Sequence, residues 1–264
     1  MELTFYKYQG AGNDFICLDD RSGALVDRLD QPAVAALCDR RFGIGADGLM
    51  LLAAARDPLD FAMDYFNADG RRSTMCGNGG RCIVRFARDL GIDRQTYRFL
   101  AVDGPHEAAI LPDGLVSLGM NDVVDVKDVS GDLELDTGSP HYLRFVEDLA
   151  QVDVVTEGRS LRRSAAYLKD GINVNFVQEA KDGLRIATYE RGVEDETLAC
   201  GTGVTAAAVG HLHRQSAFAE GNFRLRVAAR GGTLYVSGRK DGGLYTDLRL
   251  IGPATFVFQG TINL

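Results

Sequence analysis

Two cysteines of this 264-residue chain stand directly before short glycine-rich stretches, Cys76 in "TMCGNGGRC" and Cys200 in "LACGTGV". A thiol takes up a proton as its thiolate, and an ordinary cysteine, titrating near ~8.5, holds little thiolate at neutral pH. A helix that starts just after the cysteine changes this. Its first N–H groups lack acceptors within the helix, and its dipole favours negative charge there. Thiols so placed titrate in a range of roughly 3.5 to 7.5. Gly77, Gly79, Gly201 and Gly203 would also keep side chains away from a carboxylate approaching the same N–H groups. Each stretch thus pairs a proton carrier with an anion cradle.

Two such carriers suit the inversion of a carbon stereocentre. The hydrogen must leave one face and a hydrogen must return to the other, and one thiolate with one thiol can do this in either direction. An amino-acid α-hydrogen is very weakly acidic, so the carbanion needs donors aimed at its carboxylate. The glycine turns are the candidates for that task.

The elements that must position these cysteines repeat along the chain. "YFNADGRRSTMCGNGG" and "YERGVEDETLACGTGV" align without a gap, so Tyr65 and Tyr189 stand at the same interval before their cysteines. The alternation in "LDFAMDYF" and "LRIATYE" predicts a strand ahead of each. A helix is expected after each. In the first, Cys82, Ile83, Phe86, Ala87 and Leu90 share one face, Arg81, Arg85 and Arg88 fall off it, and Gly91 is the expected stop. In the second, "VTAAAVGHL" is apolar nearly all round, which predicts burial on every side. The openings "FYKYQGAGNDFICLDD" and "LELDTGSPHYLRFVED" rhyme more weakly, each a strand, a glycine turn and a strand. A duplicated unit of mostly antiparallel strands with one prominent helix follows, with the crossover near residue 118.

Other chemistries fit poorly. The net charge of −8, with no concentrated basic segment, speaks against a nucleic-acid surface. No apolar run approaches a membrane span, and "MELTFYKYQG" lacks the pattern of a signal peptide, so a cytoplasmic protein without membrane partners is expected. Five cysteines at irregular spacing match neither a disulfide framework nor a zinc site, and Cys17 and Cys38 read as buried, inert thiols. His211 and His213, two apart on a helix, point to different faces, so no metal is expected. "GAGNDF" lacks the third glycine of a dinucleotide fingerprint, "GNGGRC" is not followed by a Rossmann pattern, and no Walker GK[ST] occurs.

The segments "KYQGAGNDF", "DRRFGIGADG", "FNADG", "MCGNGGRC", "GSPH", "INVNFVQ", "YERGVEDET" and "ACGTG" occur in the order found in diaminopimelate epimerases, and the sequence resembles that family over nearly its whole length. The resemblance implies an α+β fold of two pseudo-symmetric lobes, each a mostly antiparallel sheet wrapped round a central helix. Residues 1–117 would form the first lobe and 118–252 the second, with 253–264 returning to the first. It implies cofactor-independent interconversion of LL-2,6- and meso-diaminopimelate, a step toward lysine and peptidoglycan precursors, with diaminopimelate as the small-molecule partner. A homodimer is left open.

Cys76 and Cys200 would be the acid/base pair, with His141 and Glu190 helping to set thiol protonation. Substrate contacts carry over onto Asn13, Asn67, Gly77, Asn78, Asn173, Glu190, Arg191, Gly201 and Thr202. The chemistry agrees for several: Arg191 can grip a second carboxylate through paired hydrogen bonds, Glu190 can meet an ammonium, and Asn67 and Asn173 both donate and accept. Two positions depart from the pattern of many relatives, Gly48 where glutamine is common and Ser139 where asparagine is. Proline racemases and hydroxyproline epimerases are the alternative with two thiols. Phenazine-biosynthesis isomerases of similar architecture use a carboxylate instead, and a non-catalytic binding protein would have no use for two reactive thiols.

Overall fold

A computed structural model describes residues 2–55, 58–73, 75–215 and 220–263; Thr74, which opens the first cysteine motif, lies outside them. The chain divides into two compact units, Met1–Leu118 with Gly252–Leu264, and Gly119–Ile251.

The first unit runs β1 (Glu2–Gly10), β2 (Asn13–Asp20), α1 (Gln31–Cys38), β3 (Gly48–Ala53), β4 (Phe61–Asn67), α2 (Gly77–Asp89), β5 (Tyr97–Ala101), β6 (Gly104–Ile110) and β7 (Val116–Gly119). β1 and β2 form an antiparallel hairpin, β2 and β3 are parallel, β3 and β4 antiparallel, and β4 and β5 parallel. β5, β6 and β7 continue antiparallel. β2 and β3 carry the unbroken apolar runs "FICL" and "LMLL", the mark of strands covered on both faces. Ile16, Leu18, Leu49 and Leu51 pack with Val34 and Leu37 of α1. The alternate side chains Phe15 and Met50 lie against Gly79 of α2. α2 ends where expected. Gly91 takes φ 89°, and Gly91 N–H and Ile92 N–H return to the carbonyls of Arg88 and Ala87, closing the last turn as a Schellman motif.

The second unit repeats the plan with β8 (Val126–Val129), β9 (Asp132–Asp136), β10 (Pro140–Phe145), α3 (Val154–Arg162), β11 (Asn173–Ala180), β12 (Gly183–Glu190), β13 (Asp195–Thr197), α4 (Gly201–Arg214), β14 (Gly221–Ala229), β15 (Gly232–Asp241) and β16 (Leu244–Gly252). β9 and β10 are antiparallel, β10 and β11 parallel, β11 and β12 antiparallel, and β12 and β14 parallel. β14, β15 and β16 continue antiparallel. The order of parallel and antiparallel pairs is that of the first unit, so the weak rhyme between the chain openings is a structural repeat. Each unit also contains two parallel pairs within its largely antiparallel sheet. α3 covers one face through Val154 against Val174, Phe176 and Tyr189. α4 lies buried from Gly203 to Gly210, as its all-round apolar sequence requires.

The last strand, β17 (Thr255–Asn263), belongs to the first unit and pairs antiparallel with β1 from Glu2 to Gln9.

One expectation about α2 fails. Arg85 and Arg88 lie off its buried face, with Arg85 paired to Asp89, but Arg81 is completely buried. Its guanidinium donates there to the Gly77 carbonyl and to Asn78 Oδ1.

Candidate active site

Cys76 and Cys200 are each the residue that caps the start of a helix, and their backbones nearly coincide: φ −94° and ψ 133° for Cys76, φ −98° and ψ 111° for Cys200. Neither side chain caps its own helix by a hydrogen bond. The first intrahelical bonds are Gly80 N–H to the Cys76 carbonyl (2.7 Å) and Val204 N–H to the Cys200 carbonyl (2.9 Å). Residues 77–79 and 201–203 therefore present N–H groups for which the helix has no carbonyl, the arrangement that favours an anion.

In the first unit the expected contact residues Asn13 and Asn78 meet. Arg81 Nη2 donates to Asn78 Oδ1 (2.8 Å), which turns the Asn78 amide nitrogen toward Asn13 Oδ1 (2.5 Å). Asn13 Nδ2 then donates to Asp47 Oδ2 (3.0 Å). The end of this chain is anchored by charge, since Arg40 bridges Asp47 (2.7 Å) and Asp14 (2.6 Å), and Lys7 meets Asp14 at 2.7 Å. Burial alone would raise the Asp14 carboxyl, but the hydrogen bonds from Arg40 and Lys7 bring it down to about 2. Asn67 ends β4 opposite Gly48, with its backbone engaged by Gly70 and Arg71 and its side chain exposed. The departure at Gly48 has a local cause: a Cβ there would lie 2.6 Å from the Tyr65 ring, so the tyrosine occupies the space a longer side chain would need.

In the second unit Cys200 Sγ lies 3.4 Å from the Thr202 hydroxyl, and the Thr202 carbonyl accepts from Thr137 Oγ1 (2.9 Å). Beneath the first turn of α4 lies a buried polar layer. Asn175 Nδ2 donates to the Tyr142 carbonyl (3.0 Å) and faces His141 Nδ1 (3.0 Å). Thr188 Oγ1 donates to Asn175 Oδ1 (2.9 Å). The carbonyl fixes the amide orientation, so His141 Nδ1 must accept and the ring proton sits on Nε2. Nε2 is buried and has no hydrogen-bond partner among the described residues. Burial pushes His141 down to about 3, with the Arg191 charge adding to the effect, so the ring is neutral and carries an N–H at Nε2.

Glu190 accepts from the Thr197 hydroxyl (2.8 Å), and burial raises its carboxyl above the usual range. Asn173 serves its own neighbours: its amide donates to Ser139 Oγ (2.8 Å) and the Pro140 carbonyl (3.1 Å), and its oxygen accepts from Arg191 N–H (2.9 Å). The Arg191 guanidinium donates to the Asp170 carbonyl (3.0 Å) and has no carboxylate partner among the described residues.

The glycines divide their work differently from the expectation. A Cβ on Gly203 would lie 2.5 Å from Asn175 Oδ1, and one on Gly79 would lie 3.3 Å from Met50 Sδ. These two residues let the helix settle onto the sheet and do not face an approaching ligand. Residue patterns also missed Asn175, Thr188 and the burial of Arg81. "INVNF" did contain the signal for Asn175, because Asn173 and Asn175 alternate with apolar residues and share one strand face.

Solved structures place this architecture among two-lobed α+β proteins. The fold matches a phenazine biosynthesis protein of the PhzF family from Bacillus anthracis with a TM-score of 0.80 over 100% of both chains, at 13% identity. It matches a hydroxyproline epimerase from Agrobacterium vitis with a TM-score of 0.67 over 99% of this chain and 91% of that one, at 16% identity. Such identities establish the fold alone. The sequence goes further. The diaminopimelate epimerase family model matches residues 5–126 and 134–257, and the chain is 44% identical over 261 residues to a diaminopimelate epimerase of Flavobacterium psychrophilum, covering 98% of this chain and 100% of that protein. The chain belongs to the diaminopimelate epimerase family.

Proposed function

We propose that this chain interconverts LL- and meso-2,6-diaminopimelate, with Cys76 and Cys200 as its two proton carriers. The observation that carries the reading is the duplication of one device: a cysteine with the same backbone geometry at the N-terminus of a buried helix in each half of a member of this family. In this reading one thiolate takes the α-hydrogen. The C–H bond breaks, an S–H bond forms, and the electron pair spreads into the α-carboxylate. The other thiol returns its proton to the opposite face, leaving a thiolate there for the reverse reaction.

The N–H groups that follow each cysteine, those of Gly77 and Asn78 and of Gly201 and Thr202, receive the carboxylate on which charge accumulates. Arg191, with no carboxylate partner among the described residues, takes the distal carboxylate, and Glu190 and Asn67 meet the polar groups at that end. Asn13 and Asn173 are largely engaged by their own neighbours and hold the contact residues in place. His141, a neutral Nε2–H donor, acts with Glu190 on the protonation of the second thiol. Five cysteines with no disulfide among the described residues suit a reducing compartment such as the cytoplasm.

The test is solvent deuterium exchange into the α-position of LL-diaminopimelate, meso-diaminopimelate and proline. Label entering both diaminopimelate isomers and not proline is expected. Label entering proline alone would transfer the chain to the imino-acid racemases, whose fold it shares.

A further inference from the structure

Among the matching positions at which the two cysteine turns differ is Arg81 in the first and Thr205 in the second. Thr205 Oγ1 donates to the Gly201 carbonyl at 3.1 Å, and Arg81 Nη1 donates to the Gly77 carbonyl at 3.1 Å. The same carbonyl of the turn is engaged in both, once by a neutral hydroxyl and once by a cation. Arg81 is 0% exposed, and its remaining bonds go to Asn78 Oδ1 (2.8 Å) and the Pro253 carbonyl (3.4 Å). All three acceptors are uncharged, and among the described residues Arg81 forms no salt bridge. Burying a guanidinium without a counter-charge is costly, and an anion formed close by is stabilised in return.

Arg81 bonds the Gly77 carbonyl and the Asn78 side chain, the two residues that follow Cys76, so its charge acts on the thiols of its neighbour Cys82 and of Cys76. Cys82 is fully enclosed, and burial pushes it up to about 12, so it stays a thiol. Cys76 is only half-buried and caps the same helix.

We infer that Arg81 is a positioning residue that makes the two thiols of the repeat unequal: its buried charge holds Cys76 as the resting thiolate, while Cys200, whose turn carries Thr205 instead, rests as the thiol. The inference deepens the proton-carrier reading and rests on it. On the elements around α2, the cation Lys7 of β1 is bound to Asp14 and the Gly45 carbonyl. Burial keeps the Cys17 thiol of β2 and the Tyr8 phenol of β1 protonated. Asp103, which accepts from Met75 N–H (3.4 Å) and sits 3.2 Å from His106 Nε2, opposes the effect. Around α4, His141 of β10 is neutral and Glu190 of β12 is shifted toward its neutral form. Asp132 and Glu134 of β9 are bonded to Arg144 and Tyr167, and Lys240 of β15 is buried.

The test is pH-resolved alkylation of the substrate-free protein with iodoacetamide, read by mass spectrometry separately at Cys76 and Cys200. The midpoint pH of each labelling curve is compared, because absolute rates also reflect access. In the native protein the Cys76 midpoint is expected below that of Cys200. Arg81→Thr, which copies the second turn, should raise the Cys76 midpoint by about one unit or more and leave that of Cys200 in place. Arg81→Lys, which keeps the charge, should hold the Cys76 midpoint near its native value. A native Cys76 midpoint at or above that of Cys200, or one unmoved by Arg81→Thr, overturns the inference. Should Arg81→Thr fail to fold, the native order of midpoints and the Arg81→Lys curve still decide. No substrate is present, so this result is independent of the exchange assay, which tests the reaction itself.

Discussion

Asn175 and His141 are bound so that the histidine resists its second proton. The amide nitrogen of Asn175 faces His141 Nδ1 at 3.0 Å and is fixed in that orientation by the Tyr142 carbonyl. Protonating Nδ1 would set two donors against each other in a buried layer.

A stability profile follows. The unfolded chain protonates His141 near its ordinary value of 6.5, whereas the folded protein resists until about 3. Between these values the unfolded state binds the extra proton. The contribution of neutral His141 is therefore complete above about 6.5 and is lost as pH falls toward about 3. Urea unfolding of His141→Gln between pH 7 and 4 should show a flatter dependence on pH than the parent. An equal slope in both proteins would mean that His141 is not held neutral.

If Cys76 and Cys200 are the two proton carriers, each is needed for turnover. Cys76→Ala and Cys200→Ala remove a proton carrier and no large core group, so epimerisation should fall by at least about 10³-fold while the circular dichroism spectrum is kept. Near-normal turnover in either variant contradicts a two-thiol mechanism.

Gly203 and Gly79 stand at equivalent places and should respond differently. Gly203→Ala presses a methyl group to 2.5 Å from Asn175 Oδ1, inside a hydrogen-bonded layer that cannot move without losing bonds. A loss of about 1–3 kcal/mol is expected by denaturant unfolding. Gly79→Ala meets Met50 Sδ at 3.3 Å, and a methionine can shift, so a smaller loss is expected. The reverse order would show that the polar layer is the softer of the two.

Arg191→Gln shortens the side chain, keeps a hydrogen-bond donor and removes the charge. If the guanidinium binds the distal carboxylate, KM for diaminopimelate should rise by about tenfold or more. An unchanged KM places that carboxylate elsewhere.

The repeat was legible because the cysteine, the preceding tyrosine and the following helix recur in register, and period-2 and helical patterns survive in the flanking segments. The burial of α4 was legible for a similar reason: "VTAAAVGHL" offers water no face. Arg81 was not legible. A charged residue within a helical pattern reads as solvent-facing, and its three oxygen partners come from Gly77, Asn78 and the distant Pro253. Its match with Thr205 appears only after the repeat is aligned and both side chains are seen to serve the carbonyl four residues back. The glycines misled because access for a ligand and approach of a helix to a sheet leave the same mark in a sequence.

β17 has a consequence for how the chain is made. The strand that flanks β1 is encoded after the whole of the second unit, so the first unit waits for Thr255–Asn263 before this pairing can form, whereas Gly119–Ile251 is one continuous stretch. On a ribosome the stretch translated later can finish first, and the opening segment must keep its unpaired strand edge from other chains until its distant partner emerges.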